Sequence, residues 1–206
     1  MQNDAELFSC EPLPLNPNGF NAKATLPYGL QIEQIEQAMG SFLNFLKFIN
    51  QELNRREIAR LEMMLMPANF SSIVGEFMTT SIPKFCPTLA KNKYHNGHPD
   101  LVPLGMYPND AVQHSNAGIE IKASRYLRGW QGHNPEDTWL MIFVFDSNRP
   151  HDNVPRPFRF VQVAGARLEK SDWLFAGRSA TSRRTITASV TTSGYRKIMA
   201  NWIYRA

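Results

Sequence analysis

The segment "TWLMIFVFDS" (138–147) limits most sharply what this chain can become. Seven consecutive apolar residues, Trp139 to Phe145, lie between "HNPED" and "DSNRP", both rich in turn formers. The run is too short for a typical helix, so it reads as a buried strand. Such a strand needs partners in a sheet and cover for the sheet, and the flanking sequence offers both. "RFVQVAGARL" (159–168) is a second strand candidate. "RTITASVTT" (184–192) alternates Thr185, Thr187, Ser189 and Thr191 on one face with Ile186, Ala188 and Val190 on the other, the pattern of a half-buried strand.

Cover comes from the N-terminal half. Ile32, Ile35, Met39, Phe42, Leu43, Leu46 and Ile49 recur at steps of three and four, an apolar stripe that must face the core or a second subunit. The spacing resumes in "NRREIARLEMMLM" up to Pro67, which predicts one long helix or two consecutive ones. "NFSSIVGEFMTTSI" predicts another, capped by Ser71 or Ser72 and ended by Pro83 and Pro87. Tyr195, Ile198, Met199 and Trp202 outline an amphipathic closing helix with Ser193 as its cap. Residues 1–29, rich in Pro and Asn, read as an irregular lead-in. Helices first, then a sheet, then a mixed end: the order predicts an α/β or α+β domain. The 206 residues suit one such domain.

Several classes fall away. No window approaches the 18 apolar residues of a membrane span, and the N-terminus lacks the basic start and apolar core of a secretory signal. The two cysteines, Cys10 and Cys86, are expected to be free thiols of a cytoplasmic protein. There is no Gly-rich phosphate loop, serine nucleophile elbow or dinucleotide fingerprint, so no nucleotide cofactor is expected. Charge points elsewhere. The net charge is +4, with ten Lys/Arg and three Asp/Glu in residues 151–206, hence +7 there and −3 in residues 1–150. A basic final third on a weakly acidic body suits a polyanion, nucleic acid foremost, or is simply a solvated face.

Chemistry concentrates in "HPDLVPLGMYPNDAVQHSNAGIEIKAS" (98–124). "GIEIKA" alternates, so Ile119 and Ile121 anchor a strand in the core while Glu120 and Lys122 share its other face, their Cα atoms roughly 6.5–7 Å apart. "HPDLVP" reads as the start or end of a further strand that carries Asp100. Two carboxylates on rigid strands suit Mg2+, a hard cation that prefers oxygen ligands, and an amine beside them can offset charge that builds up during phosphodiester hydrolysis. The histidines His95, His98 and His114, with Asp100, allow a zinc reading. They lack a cysteine pair or a second matched pair, and polar surface histidines are the preferred expectation.

Pro99-Asp100 followed after nineteen residues by Glu120-Ile121-Lys122 resembles the PD-(D/E)xK signature of the restriction-endonuclease-like nucleases. The apolar residue between Glu and Lys and the strongly hydrophobic strand that follows fit the same pattern. The resemblance implies a restriction-endonuclease-like core, in which a central mixed sheet is flanked by helices and preceded by an N-terminal helical region. It implies a single domain over 30–206, with 30–82 helical and 94–206 carrying the sheet, the catalytic groups and the DNA-binding surface. Asp100 and Glu120 would bind Mg2+ with the Ile121 carbonyl as a third ligand, Lys122 would assist the nucleophile, and Glu76 would be the further acid on a preceding helix. Arg125, Arg128, Gln131 and His133 would face DNA, and Arg183 and Arg184 would hold phosphates. The implied activity is Mg2+-dependent hydrolysis of double-stranded DNA by a homodimeric type II restriction enzyme. A repair or junction-resolving nuclease of the same fold, and a DNA-binding protein without catalysis, remain open.

Overall fold

The computed structural model describes residues 4–132, 134–176 and 187–206. A short helix α1 (Asp4–Ser9) leads into the long helix α2 (Ile32–Asn54), a four-residue turn of helix α3 (Leu61–Met64), and α4 (Pro67–Phe85). Strands β1 (Leu89–Lys91), β2 (Leu101–Pro103), β3 (Ile119–Ser124), β4 (Gln131–Gly132), β5 (Thr138–Asp146), β6 (Arg159–Leu168), β7 (Trp173–Ala176) and β8 (Thr187–Val190) follow. Helix α5 (Thr192–Ala200) and strand β9 (Trp202–Arg205) close the chain. The main sheet runs β1-β2-β3-β5-β6-β9; it is mixed, because β3 and β5 are parallel and every other neighbouring pair is antiparallel. A small antiparallel sheet, β4-β8-β7, lies apart from it in the hydrogen-bonding sense. The class is therefore α/β with a six-stranded mixed central sheet.

The apolar run sits in the middle of three layers. Trp139, Met141, Phe143 and Phe145 of β5 join one core with Phe42 and Leu46 of α2 and Phe70, Val74 and Met78 of α4. Leu140, Ile142 and Val144 face the opposite way and join a second core with Trp130, Trp173, Ala188 and Ile198 from the small sheet, its approach and α5. Alternate residues of a strand face opposite sides, so only a strand covered on both faces tolerates seven apolar residues in succession. Aromatic rings knit the helical side: Phe158 lies 5.2 Å from Phe42, 5.3 Å from Phe145 and 5.1 Å from Phe160, centroid to centroid. Burying each such ring contributes about 1.5–3 kcal/mol.

Of the two forms expected for the N-terminal stripe, the structure takes two consecutive helices: α2 stops at Asn54, and after the turn at 55–60 the spacing resumes only in the four-residue α3. Several other local expectations are corrected. Helix α4 begins at Pro67, whose fixed φ suits a first helical position. Ser71 and Ser72 therefore lie inside it and donate back to the carbonyls of Pro67 and Ala68 instead of capping it. Pro83 falls in its last turns and does not end it. Thr191, not Ser193, caps α5 by accepting from the Gly194 N–H, and Trp202 belongs to β9. The lead-in is tied down as well: Phe20 bridges Tyr204 of β9, and the Leu13 N–H donates to the Phe158 carbonyl. Cys10 and Cys86 are buried, unbridged thiols.

Asp172 locks α5 to the body. Its carboxylate accepts from the Glu169 N–H, from Ser193 Oγ at 3.1 Å and from Lys197 Nζ at 2.6 Å, with its side chain only 3% exposed. Burial works against the charge, yet these donors outweigh it and hold the carboxyl below its ordinary range. A depressed folded-state pKa stabilises the protein above the unfolded value of about 3.9, and the gain is lost as pH falls through the folded value. Asp172→Asn is expected to cost about 1.5–3 kcal/mol at neutral pH. The difference in melting temperature from the parent should shrink below about pH 4, which thermal denaturation across a pH series reads directly.

Candidate functional site

β2 and β3 pair only at Leu101–Ile119, so Asp100 stands opposite Glu120 at the point where the two strands diverge. Gly118 permits the approach: at φ +139° it lies so close to β2 that a Cβ would sit 2.1 Å from the Leu101 carbonyl oxygen. The Asp100 carboxylate reaches across and accepts the Ile121 N–H at 2.7 Å. On β3, Ile119 and Ile121 are buried in the helical core, and Glu120 and Lys122 share the opposite face. β3 runs in register with β5, Glu120 beside Leu140 and Lys122 beside Ile142. The pair therefore projects on the side that the small sheet covers, and that cover stops short of it. The result is a cleft of about 1400 Å3 lined by Asp100, Glu120, Lys122, His98, His114 and Glu136, among others.

Electrostatics inside the cleft are strongly coupled. Lys122 Nζ donates to Glu120 Oε1 at 2.5 Å. His98 Nδ1 lies 2.9 Å from Glu120 Oε2, and His98 Nε2 lies 2.9 Å from Glu136 Oε2. Burial opposes ionisation of Glu120, but the contacts with His98 and Lys122 override it and hold the carboxyl below its usual range. Asp100 goes the other way. Burial first, and then the charge of Glu120, push it up to about 7, against the pull of Lys122 and the Ile121 N–H. Burial would lower Lys122, yet the Glu120 carboxylate keeps its pKa above the ordinary value. Burial would also lower His98; the two carboxylates that flank it raise it instead, to about 9. The two acids thus differ: Glu120 is balanced by Lys122 and His98, whereas Asp100 is buried beside it with, among the described residues, only the Ile121 N–H bonded to its carboxylate and Lys122 at longer range.

Of the other expected residues, Glu76 reaches the cleft, and Arg125, Arg128 and Gln131 do not line it. Glu76 on α4 lines the same cleft but is 69% exposed and pairs with Lys91 Nζ at 2.9 Å. Arg125 is committed to the fold: its guanidinium donates to the carbonyls of Ser147 and Asn148 and lies over the rings of Phe70 and Phe145. Arg128 stacks on Tyr195 at 5.3 Å, and Gln131 is exposed on β4 within reach of Ser189. His133, Arg183 and Arg184 lie outside the described residues, as do Thr185 and Ile186 of the alternating segment.

Two participants escaped the sequence reading. His98, expected as a surface histidine, is instead wedged between two carboxylates with its side chain 15% exposed. Glu136 lies in a polar loop with no periodic pattern. Its one signal is its position two residues before the apolar strand, much as Asp100 stands just before β2.

Comparison with protein-family models, with curated proteins and with solved structures returned no match. Among the described residues, no helix is long and apolar enough to cross a membrane.

Proposed function

We propose that this protein is a Mg2+-dependent endonuclease of double-stranded DNA, with a restriction-endonuclease-like core and the activity of a type II restriction enzyme. The observation that carries the reading is the meeting of Asp100, Glu120 and Lys122 at one end of an open cleft, on strands whose buried faces fix them. The donor set fits a hard cation: two carboxylates meet on adjoining strands, and Asp100, raised by burial and then by the charge of Glu120, would be stabilised as an anion by a bound ion. Asp100 and Glu120 would hold Mg2+. The Ile121 carbonyl would join them, since a strand residue directs its C=O and N–H to the same edge and the N–H already meets Asp100. When bound, Mg2+ supplies Lewis-acid polarisation and charge neutralisation at a phosphodiester.

The protein's own groups do the rest. Lys122 stays charged against Glu120, so its amine stabilises negative charge that grows on the phosphoryl oxygens. The Ile121 N–H fixes the Asp100 carboxylate, and His98 holds Glu120 from the side away from Lys122. Glu76 with Lys91 stands exposed on the cleft, where Lys91 and Lys93 offer charge to a phosphate backbone. A homodimer would present two such clefts to the two strands.

The test is incubation of plasmid DNA with the protein, with and without Mg2+. Discrete, reproducible fragments that require Mg2+ are expected. Cleavage confined to branched DNA would move the protein to the junction-resolving class. A salt-sensitive gel shift with no cleavage under any condition would make it a DNA-binding protein.

A further inference from the structure

Beside the carboxylate pair, the cleft holds a second donor set of different chemistry. One ring nitrogen each from His98 and His114 and one carboxylate oxygen from Glu136 lie within 4.8 Å of one another. A tetrahedral ion with ligands at 2.0–2.1 Å would space them roughly 3.3 Å apart, so small side-chain movements suffice. The backbone already holds the three together. His98 and His114 form an isolated parallel bridge: the His98 N–H donates to the Gln113 carbonyl and the Ser115 N–H to the His98 carbonyl. The two imidazoles accordingly stack at 5.4 Å and 19°. Glu136 is anchored by its own carbonyl, which accepts from Trp173 Nε1 at 2.9 Å.

His98 Nε2 is buried and has no well-directed hydrogen bond, although Glu136 Oε2 is only 2.9 Å away. That is the arrangement of a ligand atom and a co-ligand turned toward a common point. The other nitrogen, Nδ1, faces the Glu120 carboxylate at 2.9 Å. Metal-bound histidines regularly present their second nitrogen to a carboxylate in this way; an ion at Nε2 would displace the proton that His98 otherwise holds toward Glu136, while Nδ1–H stays on Glu120.

We infer that His98, His114 and Glu136 form a site for a divalent transition-metal ion of the zinc class, separate from the oxygen-only Asp100–Glu120 pair. Two imidazoles and one carboxylate favour Zn2+ or Co2+ over Mg2+. His114 is exposed, so a fourth position opens on the cleft for water or a phosphate oxygen. Glu120 links the two centres, because it contacts His98 directly. The inference stands whether or not the protein cuts DNA.

The probe is Co2+ alone, titrated into metal-free protein and followed by its visible d–d absorption. One equivalent is expected to bind, with a band that excess Mg2+ does not displace. Asp100→Asn should keep the band. His114→Ala and Glu136→Gln should each weaken binding by about a hundredfold. Circular dichroism checks that both variants fold, and Zn2+ should raise the melting temperature of the parent but not of His114→Ala. No band, a band indifferent to both ligand variants, displacement by Mg2+, or loss in Asp100→Asn would each overturn the inference. None of these readouts involves cleavage, so failure of the nuclease reading and failure of this site remain distinguishable.

Discussion

Asp100→Asn and Lys122→Ala are each expected to reduce Mg2+-dependent DNA cleavage by about a thousandfold, the upper range for loss of one preorganised electrostatic group. The two variants should separate on stability. Asn keeps a side-chain oxygen that can accept the Ile121 N–H, and it removes a carboxyl whose charge is disfavoured by burial and by Glu120. Asp100→Asn should therefore melt at or above the parent temperature. A residue that costs stability and is needed for activity is held in place by function. Lys122→Ala removes the amine 2.5 Å from Glu120, leaving a 13%-exposed carboxylate that, among the described residues, His98 alone pairs with. Its melting temperature should fall. Salt-dependent DNA binding should survive in both. Cleavage of either variant near the parent rate would remove the catalytic assignment.

What could be read from the residues, and what could not, follows from the range of the interactions. Period-two alternation is local, so "GIEIKA" declared both the strand and the common face of Glu120 and Lys122. The long apolar run announced a strand buried on both faces for the same reason. Register is not local. Nothing in "HPDLVP" says that Leu101 pairs with Ile119, and only that pairing sets Asp100 opposite Glu120. The bridge between His98 and His114 spans sixteen residues and leaves no periodic trace. Charge counting misleads similarly. Part of the +7 of residues 151–206 is spent internally: Arg156 pairs with Asp146 and Asp152, Lys197 with Asp172, and Arg205 lies over Trp202 at 4.7 Å. Serines near a helix start invite a cap assignment, yet Pro67 took the first position and moved the boundary upstream of them.

The largest loss of stability is expected at a residue with no part in the cleft. Arg60 lies in the turn between α2 and α3 with its side chain 1% exposed, against a Glu62 side chain that is fully buried. Its guanidinium donates to Glu62 Oε1 at 2.6 Å, to Glu6 Oε2 at 2.9 Å and to Asn148 Oδ1 at 2.9 Å, and more weakly to the carbonyls of Ser9 and Arg156. Asn50 completes the set by donating to Glu62 Oε2 and accepting the Leu61 N–H. One cation thus joins the N-terminal helix α1, the end of the α2–α3 turn and the loop that leads into β6. Removal of one partner of such a pair leaves the other charged and buried, so Arg60→Ala is expected to cost about 3–5 kcal/mol. For a chain of this size, that lowers the melting temperature by on the order of 10 °C. The double variant Arg60→Met/Glu62→Gln removes both charges together and should cost clearly less than the sum of the single variants. A double-mutant cycle measured by denaturant unfolding gives that coupling. Additive costs would mean that the two side chains stabilise the turn independently, and the buried ion pair would then not be what holds the N-terminal helix to the sheet.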